Sequence, residues 1–235
     1  MKYDSGRGLL ACLLALLAPC ACRCQQRLPI SIDDASIPCA ASGKYFPAEG
    51  TAGTGGLNTG AMQAEWETML LRHMGELSLY ACGGVHAEPE YRFLWDRSLS
   101  EPIAVRLVVH EDGTGTLFTR ELDHGTLPPP LPPGRKSQPY SWDEWFTVKL
   151  SKQTVLHAAE VRHVLDLFNG IDFPHEGPRK PDSTTDGSDW VFESRVQGRY
   201  RLVDFRNNPS PAARVCGLFL VQELSKIAIP PRAIY

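Results

Sequence analysis

Four polar side chains near the C-terminus have the types and spacing for acid–base chemistry. The segment DGSDWVFESRVQGRYRLVDF, residues 186–205, reads as two short strands joined by Gln197-Gly198. A two-residue turn predicts an antiparallel hairpin. One face of that hairpin carries Glu193, Arg195, Tyr200 and Asp204. Two carboxylates beside an arginine and a tyrosine could act as general acid and base. An ordinary exposed sheet face with cross-strand ion pairs contains the same groups, and the sequence favours that interpretation.

The opposite face of this hairpin is predicted to be hydrophobic core. The turn sets the cross-strand pairs on that face as Trp190 with Phe205 and Phe192 with Val203. The pairs on the polar face are Val191 with Asp204, Glu193 with Leu202, and Arg195 with Tyr200. Because side chains alternate along a strand, a shift of one residue would exchange the two faces.

A second set of candidates lies in the segment HAAEVRH. His157, Glu160 and His163 recur at steps of three. At about 100° per residue, the outer two side chains of a helix so spaced point about 120° apart. A zinc-protease helix instead needs its histidines four residues apart. We therefore expect a solvated helix face, no metal and no cofactor.

Other chemical signatures are missing from the chain. It contains no nucleophile elbow, no phosphate-binding glycine loop and no dinucleotide fingerprint. The cysteines show no zinc-binding spacing. These absences weaken the case for an enzyme.

The N-terminal residues are predicted to direct export. Lys2 and Arg7 precede the apolar run Leu9 to Ala18, which fits the charged and hydrophobic regions of a signal peptide covering residues 1–22. The run is shorter than the ~20 apolar residues that a transmembrane helix requires. The mature protein is therefore expected to be exported as a periplasmic, secreted or lipid-anchored form.

Two cysteines near the cleavage region are candidates for lipidation. Cys20 follows Leu17 and Ala18, as in a lipoprotein signal, but Pro19 directly precedes it. Cys22 is the alternative position. An acyl chain on either residue would anchor the protein to a membrane. Cleavage without lipidation and release are equally compatible with the sequence.

The cysteines of the mature body predict one disulfide. Cys39 and Cys82 both lie in turn-like sequence, whereas Cys216 lies inside an apolar helical run. In an oxidising compartment two exposed cysteines can pair, and a buried one behaves as a small hydrophobic residue. We predict a disulfide between Cys39 and Cys82 and a buried thiol at Cys216.

Three regions follow from composition. Residues 23–58 are rich in Gly, Ala and Thr without periodicity and are predicted to be a flexible tether. Residues 59–235 are predicted to form a single domain. Within it, the prolines of residues 127–139 favour an extended loop.

Periodicity places the elements of this domain in the order helix, hairpin, strand, helix, hairpin, helix. The first helix, capped by Thr59, has an apolar stripe of Trp66, Met69, Leu70, His73 and Leu77. His73 is expected to be half-buried and hydrogen-bonded. The second helix is capped by Ser151 or Thr154, and the third begins at Ser210-Pro211. This order predicts an α+β fold, an antiparallel sheet with helices packed on one face.

Charge excludes one class of partner. The chain has 235 residues and a formal net charge of -3. Lys and Arg form no basic stripe, so no nucleic-acid partner is expected. A membrane is expected to be contacted only through an N-terminal lipid anchor.

One resemblance is carried by the C-terminal residues. DGSDWVFE, then GRYRLVDF, a turn with proline and a short apolar helix resemble the C-terminal part of uncharacterised exported bacterial proteins of unknown function. The resemblance covers about the last 60 residues and implies only a reusable hairpin–helix element. It transfers no catalytic residue.

Two functions remain. The first is a cell-envelope binding or structural module whose partner is an unknown envelope protein or ligand. The second is an envelope hydrolase that uses Glu193 and Asp204. A deep pocket over the polar hairpin face would favour an enzyme or ligand site, and a flat face would favour a partner surface.

Overall fold

The computed structural model describes the residues 45–47, 61–81, 88–97, 100–124, 146–171, 173, 187–231 and 234. Several predictions fall outside these ranges and stay predictions. They are the signal peptide, lipidation at Cys20 or Cys22, the Cys39–Cys82 disulfide and the proline-rich loop.

The described residues form an antiparallel sheet with helices. The elements are α1 (Ala61–His73), β1 (Glu90–Arg97), β2 (Ile103–Val109), β3 (Gly115–His124), β4 (Phe146–Leu156), α2 (Ala158–Asn169), β5 (Ser188–Val196), β6 (Arg199–Arg206) and α3 (Pro211–Leu218), which continues into a π-helical segment (Phe219–Leu224). The strand order is β4-β3-β2-β1-β5-β6, and each neighbouring pair is antiparallel. The predicted α+β class is confirmed.

The C-terminal hairpin has the predicted register. Trp190 pairs with Phe205, and Val191 pairs with Asp204. Gln197 and Gly198 have φ values of 51° and 75°. Two consecutive residues with positive φ form the tight turn whose twist matches that of paired strands, and this turn fixes the register.

The first hydrophobic core lies on the sheet face covered by α2 and α3. Its centre contains closely packed rings, with centroids 4.5 Å apart for Trp95 and Trp190. Gly217 allows α3 to approach this centre, because a Cβ atom there would lie 2.7 Å from the Trp190 ring. The neighbouring Cys216 is a fully buried free thiol, as predicted.

A second core lies on the opposite face, beneath α1. The buried residues of α1 and the turn after it are Glu67, Thr68, Leu70, Leu71 and Met74. The sheet residues of this core are Leu94, Ala104, Leu122, Phe146, Val191 and Leu202. The sequence analysis expected all helices on one face, and the structure places α1 on the other. Both faces of the sheet are therefore buried near its middle.

The position of α1 also involves part of the predicted tether. Tyr45 and Phe46 are buried in the second core. The Tyr45 hydroxyl donates a hydrogen bond to the backbone oxygen of Glu76 at 2.8 Å. At these positions the chain is part of the folded domain.

The observed N-caps of α2 and α3 agree with the predicted caps only in part. Ser210 caps α3 by accepting a hydrogen bond from the Ala213 backbone N–H at 3.2 Å, as predicted. The predicted caps of α2, Ser151 and Thr154, lie instead within β4, which extends to Leu156. The N-cap of α2 is His157.

The buried face of α1 is rotated relative to the predicted stripe. Trp66, Met69 and His73 are only half-buried, and Glu67 faces the sheet. His73 Nδ1 lies 2.8 Å from the Met69 oxygen, so the hydrogen-bonded, half-buried histidine is confirmed. Among the helices in the described ranges, none has the length and apolarity required to cross a membrane.

Candidate functional site

The polar hairpin face is part of a longer surface that α1 covers. Because side chains alternate along a strand, β1 directs Glu90, Arg92, Leu94 and Asp96 toward this same face. Charged groups lie at both ends of the face, and Leu94, Val191 and Leu202 lie between them. Two separate polar clusters result.

The first cluster, called here the balanced network, consists of Glu76, Glu90, Arg92, Arg106, Glu193 and Tyr200. Arg92 Nε donates to Glu193 Oε2 at 2.6 Å, and the Tyr200 hydroxyl donates to Glu193 Oε1 at 2.8 Å. Arg106 donates to Glu76 Oε2 at 2.7 Å and to Glu90 Oε2 at 3.0 Å. Every carboxylate in the network therefore has a guanidinium beside it.

Proton affinities in the balanced network follow from burial and pairing. Burial alone would raise the pKa of Glu76, but the guanidiniums of Arg106 and Arg92 outweigh it and lower that pKa. Burial would lower the pKa of Arg92, but Glu193 outweighs it and raises that pKa. The pKa of the Tyr200 phenol is raised by burial and by Glu193. Pairing thus favours the ionised forms of Glu76 and Arg92, whereas the Tyr200 phenol is held neutral.

The second cluster, called here the acidic cluster, consists of Glu67, Asp96, Asp189 and Asp204. Asp96 and Asp189 are direct cross-strand neighbours on β1 and β5. Trp66 Nε1 donates to Asp96 Oδ2 at 2.8 Å. Gln63 Nε2 donates to Glu67 Oε1 at 3.1 Å and to Asp189 Oδ2 at 2.9 Å. The donors of α1 are neutral, so they do not compensate the carboxylate charges.

The pKa values of Glu67, Asp96 and Asp189 are correspondingly raised. Burial, followed by the charges of Asp204 and Asp189, raises the pKa of Glu67 well above its usual range. Burial and the facing Asp189 raise the pKa of Asp96 to about 7. Burial raises the pKa of Asp189 to about 6, although Arg206 acts in the opposite direction. Like charges at close range in a dry environment favour the protonated forms.

The four predicted site residues do not form one group. Glu193 and Tyr200 share a hydrogen bond in the balanced network. The half-buried Arg195 donates to the backbone oxygen of Leu79 at 2.7 Å. Asp204 belongs to the acidic cluster, where its charge acts on Glu67.

The prediction that this hairpin face is exposed is wrong. Glu193 is 0% exposed and Asp204 is 6% exposed. The sequence showed the polar groups of the hairpin but not the helix that covers them. A catalytic role for Glu193 is unsupported, because both of its oxygens accept hydrogen bonds and neither faces solvent.

An open cavity lies elsewhere, on the first-core side where α2 ends near the hairpin turn. Its volume is about 230 Å³. It is called here the hairpin pocket, and it is lined by Tyr91, Phe168, Asn169, Ile171, Phe173, Ser194, Val196, Gln197, Arg199 and Arg201. The Tyr91 and Phe168 rings meet edge to face at 5.2 Å between centroids. The pocket combines an aromatic wall with polar groups from the strands.

The polar groups of the hairpin pocket follow from strand register. Tyr91 of β1 pairs with Ser194 of β5, which pairs with Arg201 of β6. Arg199 lies two residues before Arg201, so both side chains project from the same face of β6. Within the described part of the chain, neither guanidinium has a salt bridge and neither hydroxyl has a hydrogen-bond partner. These groups are available to a ligand.

The two histidines of the HAAEVRH segment make structural contacts, one at the start of α2 and one with a neighbouring element. Glu160 accepts a hydrogen bond from the His157 backbone N–H at 2.8 Å, which is half of a capping box. The His163 ring packs edge-on against Phe219 at 4.7 Å between centroids. Within the described residues, no group of three or more His, Cys, Asp or Glu side chains is arranged to hold a metal ion.

Sequence reasoning missed the partners of the predicted site. Arg92, Glu90 and Asp96 all lie in EYRFLWDR, which was not assigned to any element. Every second residue of this segment is aromatic, namely Tyr91, Phe93 and Trp95. The residues between and beside them are charged except for one leucine, namely Glu90, Arg92, Leu94 and Asp96. That alternation is the signal of a strand.

The comparisons with known proteins found no match from which a function could be proposed. No protein-family model, no curated protein and no solved structure matches the chain. The resemblance of the C-terminal hairpin and helix to exported bacterial proteins therefore stays a prediction.

Proposed function

We propose that this chain is an exported binding module of the cell envelope, and that the hairpin pocket is its binding site. The run Leu9 to Ala18 behind two basic residues supports export. The alternative, a hydrolase that uses Glu193 and Asp204, has less support because both carboxylates are buried beneath α1.

The observation that carries the proposal is the contrast in access between the two polar sites. In the balanced network, Glu193 has no exposed surface, and its carboxylate accepts hydrogen bonds from Arg92 and Tyr200. In the hairpin pocket, Arg199 and Arg201 are exposed and border an aromatic cavity. Binding sites combine a largely apolar wall with a few placed polar groups, and of these two sites in the described chain the pocket has this combination.

A fragment screen on the full chain tests the location of the site. The library contains small carboxylic acids, amines and neutral aromatic compounds, and binding is detected by chemical-shift changes of backbone amides. We expect hits to shift the amides of Tyr91, Ser194 and Arg201. Hits that consistently avoid these residues would contradict the assignment of the site.

A turnover assay tests the competing hydrolase. Chromogenic ester, glycoside and peptide substrates are incubated with the wild type and with Tyr200→Phe, which removes one hydrogen bond to Glu193 and keeps the ring. We expect no turnover by either protein. Turnover by the wild type that Tyr200→Phe reduces, with the fold intact by circular dichroism, would overturn the binding-module proposal.

A further inference from the structure

We propose that the hairpin pocket selects an oxyanion, a carboxylate or a phosphate, that is carried on a small aromatic or aliphatic group. This inference rests on the proposed function, since it names the ligand class of the same site. Four observations support it: charge, hydrogen-bond donors, wall composition and size.

The charge of the pocket is positive. Arg199 and Arg201 are the charged residues among the described lining residues, and that lining contains no Asp or Glu. Within the described chain neither arginine has a salt bridge. A guanidinium presents its N–H groups in a planar fork that matches two oxygens of a carboxylate or phosphate. An anion is therefore the complementary ligand charge.

The negative end of α2 opposes this preference but is weaker. The helix ends at Asn169, beside the pocket. A helix C-terminus corresponds to roughly half a negative charge, and its effect falls off within one turn. Two full positive charges on Arg199 and Arg201 outweigh it, so the sign of the local field favours an anion.

The hydrogen-bond donors lie in one row across three strands. Tyr91, Ser194 and Arg201 are consecutive cross-strand neighbours. Directly opposed side chains on neighbouring strands have Cβ atoms ~5 Å apart. Two hydroxyls and one guanidinium can therefore reach the oxygens of a single bound group. The two hydroxyls would otherwise stay without a protein partner in the described chain.

The remaining wall is apolar and the space is small. Phe168, Ile171, Phe173 and Val196 supply apolar side chains to the lining. The volume of about 230 Å³ lies below the ~300–1,000 Å³ of pockets for drug-sized ligands. The ligand is thus about the size of one amino acid or one substituted ring. A larger molecule would place only its acidic end here.

The test compares probes that differ in charge and are alike in shape. N-acetylphenylalanine, N-acetylphenylalaninamide, phenyl phosphate and inorganic phosphate are titrated into the full chain at low ionic strength, and amide shifts are followed. We expect N-acetylphenylalanine or phenyl phosphate to bind about tenfold more tightly than the uncharged amide, as loss of one charge-assisted hydrogen bond implies. Added salt should weaken that binding.

Matched variants assign the effect to the pocket. Arg201→Ala should weaken binding of the preferred anion about tenfold, and Arg201→Lys should restore part of it because the charge remains without the fork. Arg162→Ala removes an equally exposed arginine from α2, outside the pocket, and should leave binding unchanged. Each variant is checked for unchanged thermal unfolding.

The outcomes separate this inference from the proposed function. Binding of one anion and not the other supports the inference and identifies the source as carboxylate or phosphate. Equal binding of the acid and the amide in the pocket would overturn the inference and keep the binding site. Absence of binding by all four probes, or an unaffected Arg201→Ala, would also overturn it. The proposed function fails on different results, which are fragment hits that avoid the pocket residues or the hydrolytic turnover described above.

Discussion

The balanced network and the acidic cluster lie at opposite ends of one sheet face, the first against the segment that follows α1 and the second beneath α1, and they hold charge in different ways. Three carboxylates and two guanidiniums alternate in the network. Four carboxylates meet in the acidic cluster, where the donors of α1 are the neutral Gln63 and Trp66. The apolar residues Leu94, Val191 and Leu202 separate the two.

This difference shows that burial alone does not determine the ionisation of a group. Glu76 and Glu67 are both buried, yet the pKa of Glu76 is lowered and that of Glu67 is raised. The neighbouring charges decide between these outcomes. The same amino acid thus releases its proton more readily at one end of the face and retains it more strongly at the other.

The largest effect is expected when the balanced network loses a cation. Arg92→Met leaves Glu193 buried without its main partner, and should lower the free energy of unfolding by about 3–5 kcal/mol. Urea denaturation measures this change. The double variant Arg92→Met with Glu193→Leu should recover most of the loss, because an apolar pair can replace a buried ion pair. A double variant as unstable as the single one would contradict this account.

A smaller loss is expected when the network loses an anion and keeps its shape. Glu193→Gln leaves the Arg92 guanidinium with a neutral neighbour and should cost about 2–4 kcal/mol. An exposed hairpin face, as the sequence favoured, would instead give a cost below about 1 kcal/mol. Urea denaturation again decides. A cost below about 1 kcal/mol would mean that the Arg92–Glu193 pair contributes little.

The acidic cluster should instead make stability depend on pH. Asp96 and Asp189 have pKa values of about 7 and about 6 in the folded protein, above their ordinary value of 3.8. A raised pKa contributes stability that is fully present below the unfolded value and is lost as pH rises through the folded value. Stability should therefore fall between pH 4 and pH 8. Glu76, whose pKa is lowered, loses its contribution only at more acidic pH.

Asp96→Asn tests the origin of this pH dependence. The amide oxygen can still accept the Trp66 hydrogen bond, and the burial of a charge is removed. At pH 8 the variant should be more stable than the wild type by on the order of 2 kcal/mol, with a flatter profile between pH 4 and pH 8. Asp166→Asn on the exposed side of α2 is the control and should leave the profile unchanged. A steeper profile for Asp96→Asn would refute the explanation.

The smallest effect is expected at Glu67. Because burial and the neighbouring carboxylates raise the pKa of Glu67 well above its usual range, its site favours the neutral carboxyl, and Glu67→Gln places another neutral side chain there. The free energy of unfolding should change by less than about 1 kcal/mol. The same substitution at Glu193 should cost clearly more under identical conditions. Equal costs at the two positions would remove the distinction between the clusters.

The part of the fold that the sequence predicted is the part fixed by local rules. The turn at Gln197-Gly198 and the alternation of Trp190, Phe192 and Glu193 determined the hairpin register. Ser210 with the following proline determined the start of α3. Each of these signals spans only a few residues.

The alternation in β1 is a local strand signal that the sequence analysis left unused, whereas the burial of its charged side chains depends on distant elements. From the sequence, we would predict solvent exposure for the charged residues Glu90, Arg92 and Asp96, because charged side chains are seldom fully buried without partners. Their partners Glu193 and Trp66 lie in β5 and α1. No local period encodes that pairing, and the packing of α1 on the second face follows from it.

The candidate site shows the same limit. The four hairpin residues were identified from register, but whether they are exposed was decided by α1, more than 100 residues earlier in the chain. The hairpin pocket requires β1, β5, β6 and the end of α2 together. The hairpin that the sequence predicted supplies Ser194, Val196, Gln197, Arg199 and Arg201, and the other lining residues come from β1 and from the end of α2 and the residues after it.

The paired indoles of the first core give the protein an optical signature of its own folding. Trp95 and Trp190 are fully buried with ring centroids 4.5 Å apart and planes at 41°. Chromophores so close and so inclined share their excited states and produce a coupled circular-dichroism band. Trp66 of α1 is half-buried and donates a hydrogen bond to Asp96. It lies on the other face of the sheet and is not part of that pair. Circular dichroism at that band can therefore follow the first core, and the fluorescence difference between the wild type and Trp66→Phe can follow the second among the five tryptophans of the chain, which distinguishes detachment of α1 from loss of the whole sheet.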